Sequence, residues 1–172
     1  MLSIIKWFCK TRPTPTLKAI FITGSAGDQM HAVQRIDAIE QRGLQGDRYS
    51  IAKGFWQATD ACQVTLISED DLAKANKDQS VEQQRQLAAG SHRRNLVVAG
   101  IKTKDLRGKT FRIGTALFRY HKPRPPCGYL EKIEGKGLSR ALGRHSGVCL
   151  YVVTNGTIAV GDLLEMVEPE NG

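Results

Sequence analysis

Short runs of apolar and β-branched residues, separated by Gly and Asp, recur along the chain from residue 17 onward. By their length and composition, such runs predict strands at residues 17–23, 33–39, 63–67, 95–99, 148–154, 157–160 and 163–167. Helices do not alternate with these strands, which argues against a doubly wound sheet. The pattern therefore predicts a mostly β protein, a barrel or a sandwich, with a few short helices.

A hairpin and several short helices complete the predicted elements. Strands at residues 110–113 and 116–121 flank a Gly-Thr pair, which is a compact turn signal. Ser68, followed by three acidic residues, predicts the N-cap of a helix. Residues 77–86 are rich in Gln and predict either a continued helix or a mobile loop. Residues 129–142 predict one or two short helices split by glycines.

The length of 172 residues suits one domain. We predict an arm and linker at residues 1–16 and the domain at residues 17–168. The arm is apolar but is interrupted by Lys6, is too short to span a bilayer, and lacks the pattern of a secretory signal. It is expected to pack on the domain, with an interfacial membrane anchor as the alternative.

The chain carries a formal net charge of +8, which favours anionic partners such as nucleic acid, phosphorylated small molecules or an acidic membrane face. A solvated basic surface explains the same charge without any partner. The cysteines are widely and irregularly spaced, which argues against a zinc knuckle and against a disulfide framework. Reduced thiols in a soluble, cytoplasmic protein are the simplest interpretation.

The segment at residues 121–128 contains three prolines in four positions, followed by Cys127. Proline continues neither a helix nor a sheet ladder, and it restricts the residue before it, so this loop is expected to be stiff. Two cations, Lys122 and Arg124, and a helix predicted to begin after Gly128 favour a thiolate at Cys127. A thiolate is a nucleophile, a sulfur carrier or a soft-metal ligand. A buried, inert thiol is the competing interpretation.

The other cysteines lack such surroundings. Cys149 and Cys62 lie in or beside predicted strands and are interpreted as core thiols, whereas Cys9 lies in the arm. Two further segments, at residues 46–49 and 91–95, place arginines at turns or before a strand. Loops of this kind supply oxyanion contacts through Arg forks and backbone amides, although solvated turns have the same composition.

Six segments carry a family resemblance when they are taken in order. They lie at residues 43–49, 64–68, 92–96, 106–114, 123–130 and 156–162. Together they resemble the MOSC domain family, which is related to the C-terminal part of molybdenum cofactor sulfurases. No segment suffices alone, but the ordered set is specific, and the likeness extends from about residue 17 to residue 167. It is most similar to the small stand-alone members of the family.

The resemblance implies a MOSC-type β-barrel with a few short peripheral helices, and it implies a site. Cys127 is expected to be the catalytic residue, either carrying sulfur as a persulfide or binding the molybdenum of a pterin cofactor. Molybdopterin carries a phosphate and dithiolene sulfurs, so its site needs cations beside a soft ligand. The expected cofactor-binding residues are Arg48, Arg93, Arg94, Asn95, Lys122 and Arg124.

The function that the resemblance implies is molybdopterin binding or sulfur carriage, in sulfur transfer or in the reduction of N-hydroxylated compounds. A separate sulfur donor or reductase protein is then the expected partner. The sequence contains no aminotransferase-like domain, so pyridoxal phosphate is not expected as a cofactor of this chain alone.

Two other functions stay open. A non-catalytic module that stores or delivers an anionic cofactor would use the same pocket. A basic nucleic-acid-binding β-barrel would account for the net charge, but single-strand binders need stacking aromatic residues and these make up only 6% of the chain. Nucleic acid is therefore not expected as the partner.

Overall fold

The protein is known from a computed structural model, which describes residues 13–54 and 62–168. Residues 1–12 of the predicted arm, with Cys9, lie outside the described residues. The strands are β1 (Thr16–Ile22), β2 (His31–Val33), β3 (Arg35–Ile39), β4 (Gly43–Leu44), β5 (Val64–Ser68), β6 (Leu96–Ala99), β7 (Thr110–Ile113), β8 (Ala116–Pro123), β9 (Val148–Thr154), β10 (Gly156–Ala159) and β11 (Leu164–Val167). The helices are α1 (Glu69–Asn76), α2 (Val81–Gln86), α3 (Gly128–Glu134) and α4 (Leu138–Leu142). The predicted mostly β fold with a few short helices is confirmed.

The strands form two sheets. The main sheet has the order β11-β7-β8-β9-β5-β6-β1-β2, and its pairs are antiparallel except for the parallel pair β5–β6. The small sheet has the order β10-β3-β4. An isolated bridge between Thr16 and Leu163 joins the start of β1 to the residue before β11. The strand ladder itself ends at β11 and β2, so the predicted closure into a barrel is not confirmed.

The single strand predicted at residues 33–39 is wrong. The chain breaks at Gln34, so that His31–Val33 pairs with β1 in the main sheet while Arg35–Ile39 pairs with β10 in the small sheet. β10 consequently lies in the small sheet, although it follows β9 of the main sheet after one residue, Asn155. The apolar alternation across residues 33–39 is imperfect because two strands share it.

The predicted helix signals are confirmed. Ser68 Oγ accepts a hydrogen bond from the backbone N–H of Asp71 at 3.2 Å, which makes Ser68 the N-cap of α1. Within residues 77–86, the C-terminal part forms α2 behind a capping box of Ser80 and Gln83. Glycines separate α3 from α4, as the sequence predicts. No helix in the described ranges is long and apolar enough to cross a membrane.

Both faces of the central strands are covered, which gives two apolar cores. Leu66 of β5 packs in the core that lies against the small sheet, whereas its neighbour Ile67 packs in the core formed with α1, α3 and α4. Successive side chains of a strand point to opposite faces, which explains why adjacent apolar residues enter different cores.

The strand register brings distant parts of the chain to one place. Pro123 is opposite Val148, Val148 is opposite Leu66, and Leu66 is opposite Leu96. This row links the end of β8 to the start of β6, so the segment after Pro123 and the segment before Leu96 meet at one edge of the helical layer.

Candidate functional site

One open cavity lies at this edge. Its empty volume is about 470 Å³, counting the mouth. It is lined by five residues that the sequence predicts for the site, namely Arg48, Arg93, Arg94, Arg124 and Cys127. The rest of the lining is apolar or aromatic and consists of Ala26, Tyr49, Pro125, Tyr129, Leu130 and Ile133.

Cys127 is held at the junction between the proline loop and α3. It is the N-cap residue of α3, and its carbonyl accepts hydrogen bonds from Leu130 N at 3.0 Å and from Ser139 Oγ at 2.9 Å. The loop before it is tied down where Arg124 N donates to Gly147 O at 2.9 Å. Cys127 is partly exposed and is not part of a disulfide. Its backbone is therefore fixed from both sides while the residue stays partly exposed.

Arg48 is a buried cation whose position is set by its own turn. Its Nη1 donates to Asp47 Oδ1 at 3.2 Å, its Nη2 donates to Arg93 O at 3.1 Å, and its guanidinium lies 4.5 Å from the ring centroid of Tyr49. Asp47 in turn accepts hydrogen bonds from the backbone N–H groups of Thr23 and Tyr49. Buried charges need such partners, and here the carboxylate also fixes the turn.

The guanidinium of Arg93 is paired at Nη1, whereas its Nη2 makes no hydrogen bond among the residues that the structure describes. Its Nη1 donates to Asp28 O at 2.6 Å and to Glu134 Oε1 at 3.0 Å. Its Nη2 is buried and makes no hydrogen bond within the described residues. The backbone of Arg93 has a φ of 59°, in the left-handed region that costs a non-glycine residue free energy. Strained backbone and unsatisfied buried donors are rare in folded proteins and concentrate at ligand sites.

All three side-chain nitrogens of Arg94 donate hydrogen bonds to neutral acceptors. Nε donates to Ser146 O at 2.6 Å, Nη1 donates to His92 O at 3.0 Å, and Nη2 donates to Ser146 Oγ. Burial, and after it the charge of Arg124, lowers the pKa of Arg94 to about 10. Arg94 therefore remains a cation at neutral pH and adds positive potential to the cavity that its hydrogen-bond partners do not cancel.

Arg124 joins the proline loop to the turn of Arg48. Its Nη2 donates to Tyr49 Oη at 3.2 Å. Tyr49 thus contacts two arginines, one over its ring and one at its hydroxyl. The aromatic side chain keeps both cations at fixed places beside the cavity.

Two residues predicted for the site do not line this cavity. Asn95 is fully buried, where Oδ1 accepts hydrogen bonds from Thr65 N and Oγ1 and Nδ2 donates to Phe21 O, so it ties β5 to β1. Lys122 lies in β8 opposite Cys149. Cys62 and Cys149 are buried, in accord with their interpretation as core thiols.

The sequence interpretation missed several side chains that build the site. Tyr49 and Tyr129 line the cavity, while Glu134 and Ser146 hold two of its arginines. Glu134 lies in the last turn of α3, where a carboxylate is unfavourable to the helix dipole, and that position was a signal for a cationic partner elsewhere. Ser146 carries no such signal in the sequence.

The arrangement favours an anionic ligand that also presents a soft or electrophilic atom to sulfur. Four guanidinium groups surround the cavity, and two of them are paired with the carboxylates of Asp47 and Glu134. The described residues contain no cluster of three or more His, Cys, Asp or Glu that could hold a metal ion on its own. A metal at this site would therefore need ligands from a bound molecule beside Cys127.

Comparisons with known proteins give the family and the fold. The family model described as MOSC domain matches residues 53–165. No curated protein matches the chain. Three similar solved structures are the YUAD protein from Bacillus subtilis (TM-score 0.68, 15% identity, 89% of this chain and 95% of that chain), YiiM from Escherichia coli (0.66, 20%, 91% and 72%) and YiiM from Geobacillus stearothermophilus (0.63, 18%, 92% and 77%). At these identities the structures support the fold alone.

Proposed function

Because the chain belongs to the MOSC domain family, we propose that its cavity binds the molybdenum cofactor, with Cys127 as the protein's sulfur contact to molybdenum. The observation that carries this proposal is that Arg93, whose buried Nη2 makes no hydrogen bond within the described residues, lines the same cavity as Cys127. A phosphate oxygen would satisfy that donor, and a soft metal suits the thiolate.

The arginines have different roles in binding. Arg93 offers Nη2 to the phosphate. Arg48 and Arg94 donate hydrogen bonds to groups of the protein itself and therefore act on the ligand through their charge. Arg124, held at Tyr49, adds charge at the loop of Cys127. When bound, the cofactor supplies a molybdenum centre that exchanges electrons in pairs.

Sulfur carriage by Cys127 is the second candidate, and the partial exposure of this residue favours it. The Cys127 thiolate would attack the outer sulfur of a donor persulfide, R–S–SH, forming Cys127–S–SH and releasing the donor thiolate R–S⁻. The donor would be a separate protein. Reduction of an N-hydroxylated compound, the other activity implied, consumes two electrons and two protons and releases water, so it requires a separate electron-donor protein.

The extent and location of the domain are proposed on the same basis. We propose a domain at residues 17–168, supported by strands that run from Thr16 to Val167. A cytoplasmic location stays a prediction from the cysteine pattern. Pyridoxal phosphate is not proposed as a cofactor.

Metal analysis and intact mass spectrometry of gently purified protein test the proposal. Wild-type protein from cells that make the cofactor should contain molybdenum and pterin, and Cys127→Ser should retain less molybdenum through purification. The matched variant Cys62→Ser, whose residue lies outside the cavity, should retain both. A persulfide on Cys127 without molybdenum would support sulfur carriage instead. Absence of metal, pterin and persulfide from wild-type protein would refute both candidates.

A further inference from the structure

A second cavity adjoins the candidate site. Pro123 lines it, whereas the next residue, Arg124, lines the first cavity. Gly147 also lines it and accepts the hydrogen bond from Arg124 N, while the preceding Ser146 holds Arg94. The end of β8 and the turn before β9 therefore separate the two cavities. The second cavity is larger, with an empty volume of about 950 Å³ counting its mouth.

Basic side chains dominate the second cavity. Its lining contains one acidic residue, Asp71, and one aromatic residue other than histidine, Tyr120. The basic residues come from three separate elements and are Lys74, Lys102, Lys104, Arg107, Arg144 and His145. Cations that converge from different segments on one concave surface raise the local potential for anions more than the same cations spread over a flat face.

Asp71 neutralises only part of this charge. Its Oδ1 accepts a hydrogen bond from Lys74 Nζ at 3.1 Å and lies 3.2 Å from His145 Nδ1. Burial alone would raise the pKa of Asp71, but the hydrogen bonds from Thr103 and Lys74 lower it below its ordinary value. Asp71 is thus a carboxylate at neutral pH. Its contacts with Lys74 and His145 lie at the side of the cavity near α1.

Four cations of the cavity have no acidic partner in the part of the chain that the structure describes. Within the described residues, no ion pair involves Lys102, Lys104, Arg107 or Arg144. Three of them lie on or beside the 3-10 turn Thr103–Leu106. Thr103 Oγ1 accepts a hydrogen bond from Ser68 N at 3.0 Å, and Leu106 is fully buried. The backbone that presents these cations is therefore fixed before any ligand binds, which reduces the entropy cost of binding.

We propose that this second cavity binds a small molecule that carries two or more phosphate groups. Several point charges and an arginine fork on a preformed concave surface suit clustered phosphate oxygens. Single-stranded nucleic acid would instead need a row of aromatic side chains for stacking, and among the described lining residues Tyr120 is the one aromatic residue other than histidine. The proposal is independent of Cys127 and of the cofactor.

Titration calorimetry of the full chain with pyrophosphate tests it. The double variant Lys104→Glu with Arg107→Glu removes two exposed cations of the cavity. The matched variant Lys18→Glu with Arg35→Glu changes the net charge equally at exposed strand positions that do not line the cavity. We expect pyrophosphate binding at this cavity to weaken by about tenfold or more for each cation removed, and the matched variant to keep the wild-type affinity.

The outcomes distinguish binding at this cavity from binding at the cavity that Cys127 lines, and they distinguish a small phosphate ligand from larger anions. Unchanged affinity and stoichiometry in the Lys104 and Arg107 variant would overturn the proposal, because binding would then belong to the arginines around Cys127. Equal weakening in the matched variant would also overturn it, since net charge alone would be responsible. A third outcome is that pyrophosphate does not bind, whereas a short single-stranded DNA or an anionic phospholipid vesicle binds through Lys104 and Arg107. This result would overturn the proposal of a small ligand in favour of a larger partner.

Discussion

Arg93 Nη1 donates a hydrogen bond to Glu134 Oε1 at 3.0 Å, so the last residue of α3 holds an arginine of the cavity that Cys127 lines at the start of the same helix. The same nitrogen also donates to Asp28 O. These two contacts fix the guanidinium and leave Nη2 for a ligand. The two ends of α3 thus serve one cavity, because its N-cap is the cysteine and its last residue holds the arginine proposed to contact the anion.

Arg93→Lys should weaken cofactor binding without unfolding the protein. A lysine keeps a positive charge near Glu134 and the same left-handed backbone, but it lacks the second guanidinium nitrogen. We expect retention of pterin to fall by about tenfold, the effect of removing one charge-assisted hydrogen bond, as measured by pterin fluorescence per purified chain. Arg35→Lys is the control. Wild-type pterin content in Arg93→Lys would show that Nη2 does not contact the ligand.

Asn95→Ala should destabilise the fold. The substitution removes three buried hydrogen bonds that join Asn95 to Thr65 and Phe21. We expect the free energy of unfolding to fall by about 2–4 kcal/mol, as measured by urea denaturation.

Asn155→Ala is the control for this change. It removes one exposed hydrogen bond, which Glu40 N donates to Asn155 Oδ1, and should cost less than about 1 kcal/mol. Full stability of Asn95→Ala together with a failure to bind pterin would instead assign Asn95 to the ligand site.

His92 should make stability fall in mild acid. Burial, and after it the charge of Arg94, lowers the pKa of His92 to about 3, and its Nδ1 accepts a hydrogen bond from Arg94 N. Between pH 6.5 and pH 3 the unfolded chain binds a proton that the folded chain excludes. The free energy of unfolding should therefore decrease by about 1.4 kcal/mol for each pH unit below about 6.5 from this residue.

Urea denaturation across this pH range measures the slope. His92→Asn keeps an acceptor near Arg94 N but does not titrate, so its stability should depend less on pH than that of the wild type. Identical slopes in the two proteins would place the sensitivity in other groups.

The sequence predicts the local elements of this fold better than their assembly. The Gly114-Thr115 hairpin and the Ser68 N-cap follow from short-range turn and capping chemistry, and both are confirmed. The break at Gln34 separates strands of two sheets and depends on long-range pairing. The imperfect apolar alternation across residues 33–39 is its local trace, but this pattern does not mark the residue at which the strand breaks.

The site residues show the same difference between what local sequence predicts and what depends on the assembled fold. Sequence motifs predict both Arg94 and Asn95 for the site, but just before β6 the chain directs Asn95 into the core, whereas Arg94 lines the cavity. An irregularity in the β8–β9 register between Tyr120 and Lys122 decides where Lys122 lies, and the sequence contains no sign of it. A sequence motif thus predicts which residues lie near the site, but it does not predict which way each side chain faces.

X-ray absorption at the molybdenum edge tests the central claim most directly, because it counts the sulfur atoms bound to the metal. The comparison is between wild-type protein and Cys127→Ser reloaded with the cofactor, with Cys62→Ser as the control. The account predicts one sulfur neighbour fewer in Cys127→Ser and no change in Cys62→Ser. An equal sulfur count in wild-type protein and Cys127→Ser would contradict the assignment of Cys127 as the protein's contact to molybdenum.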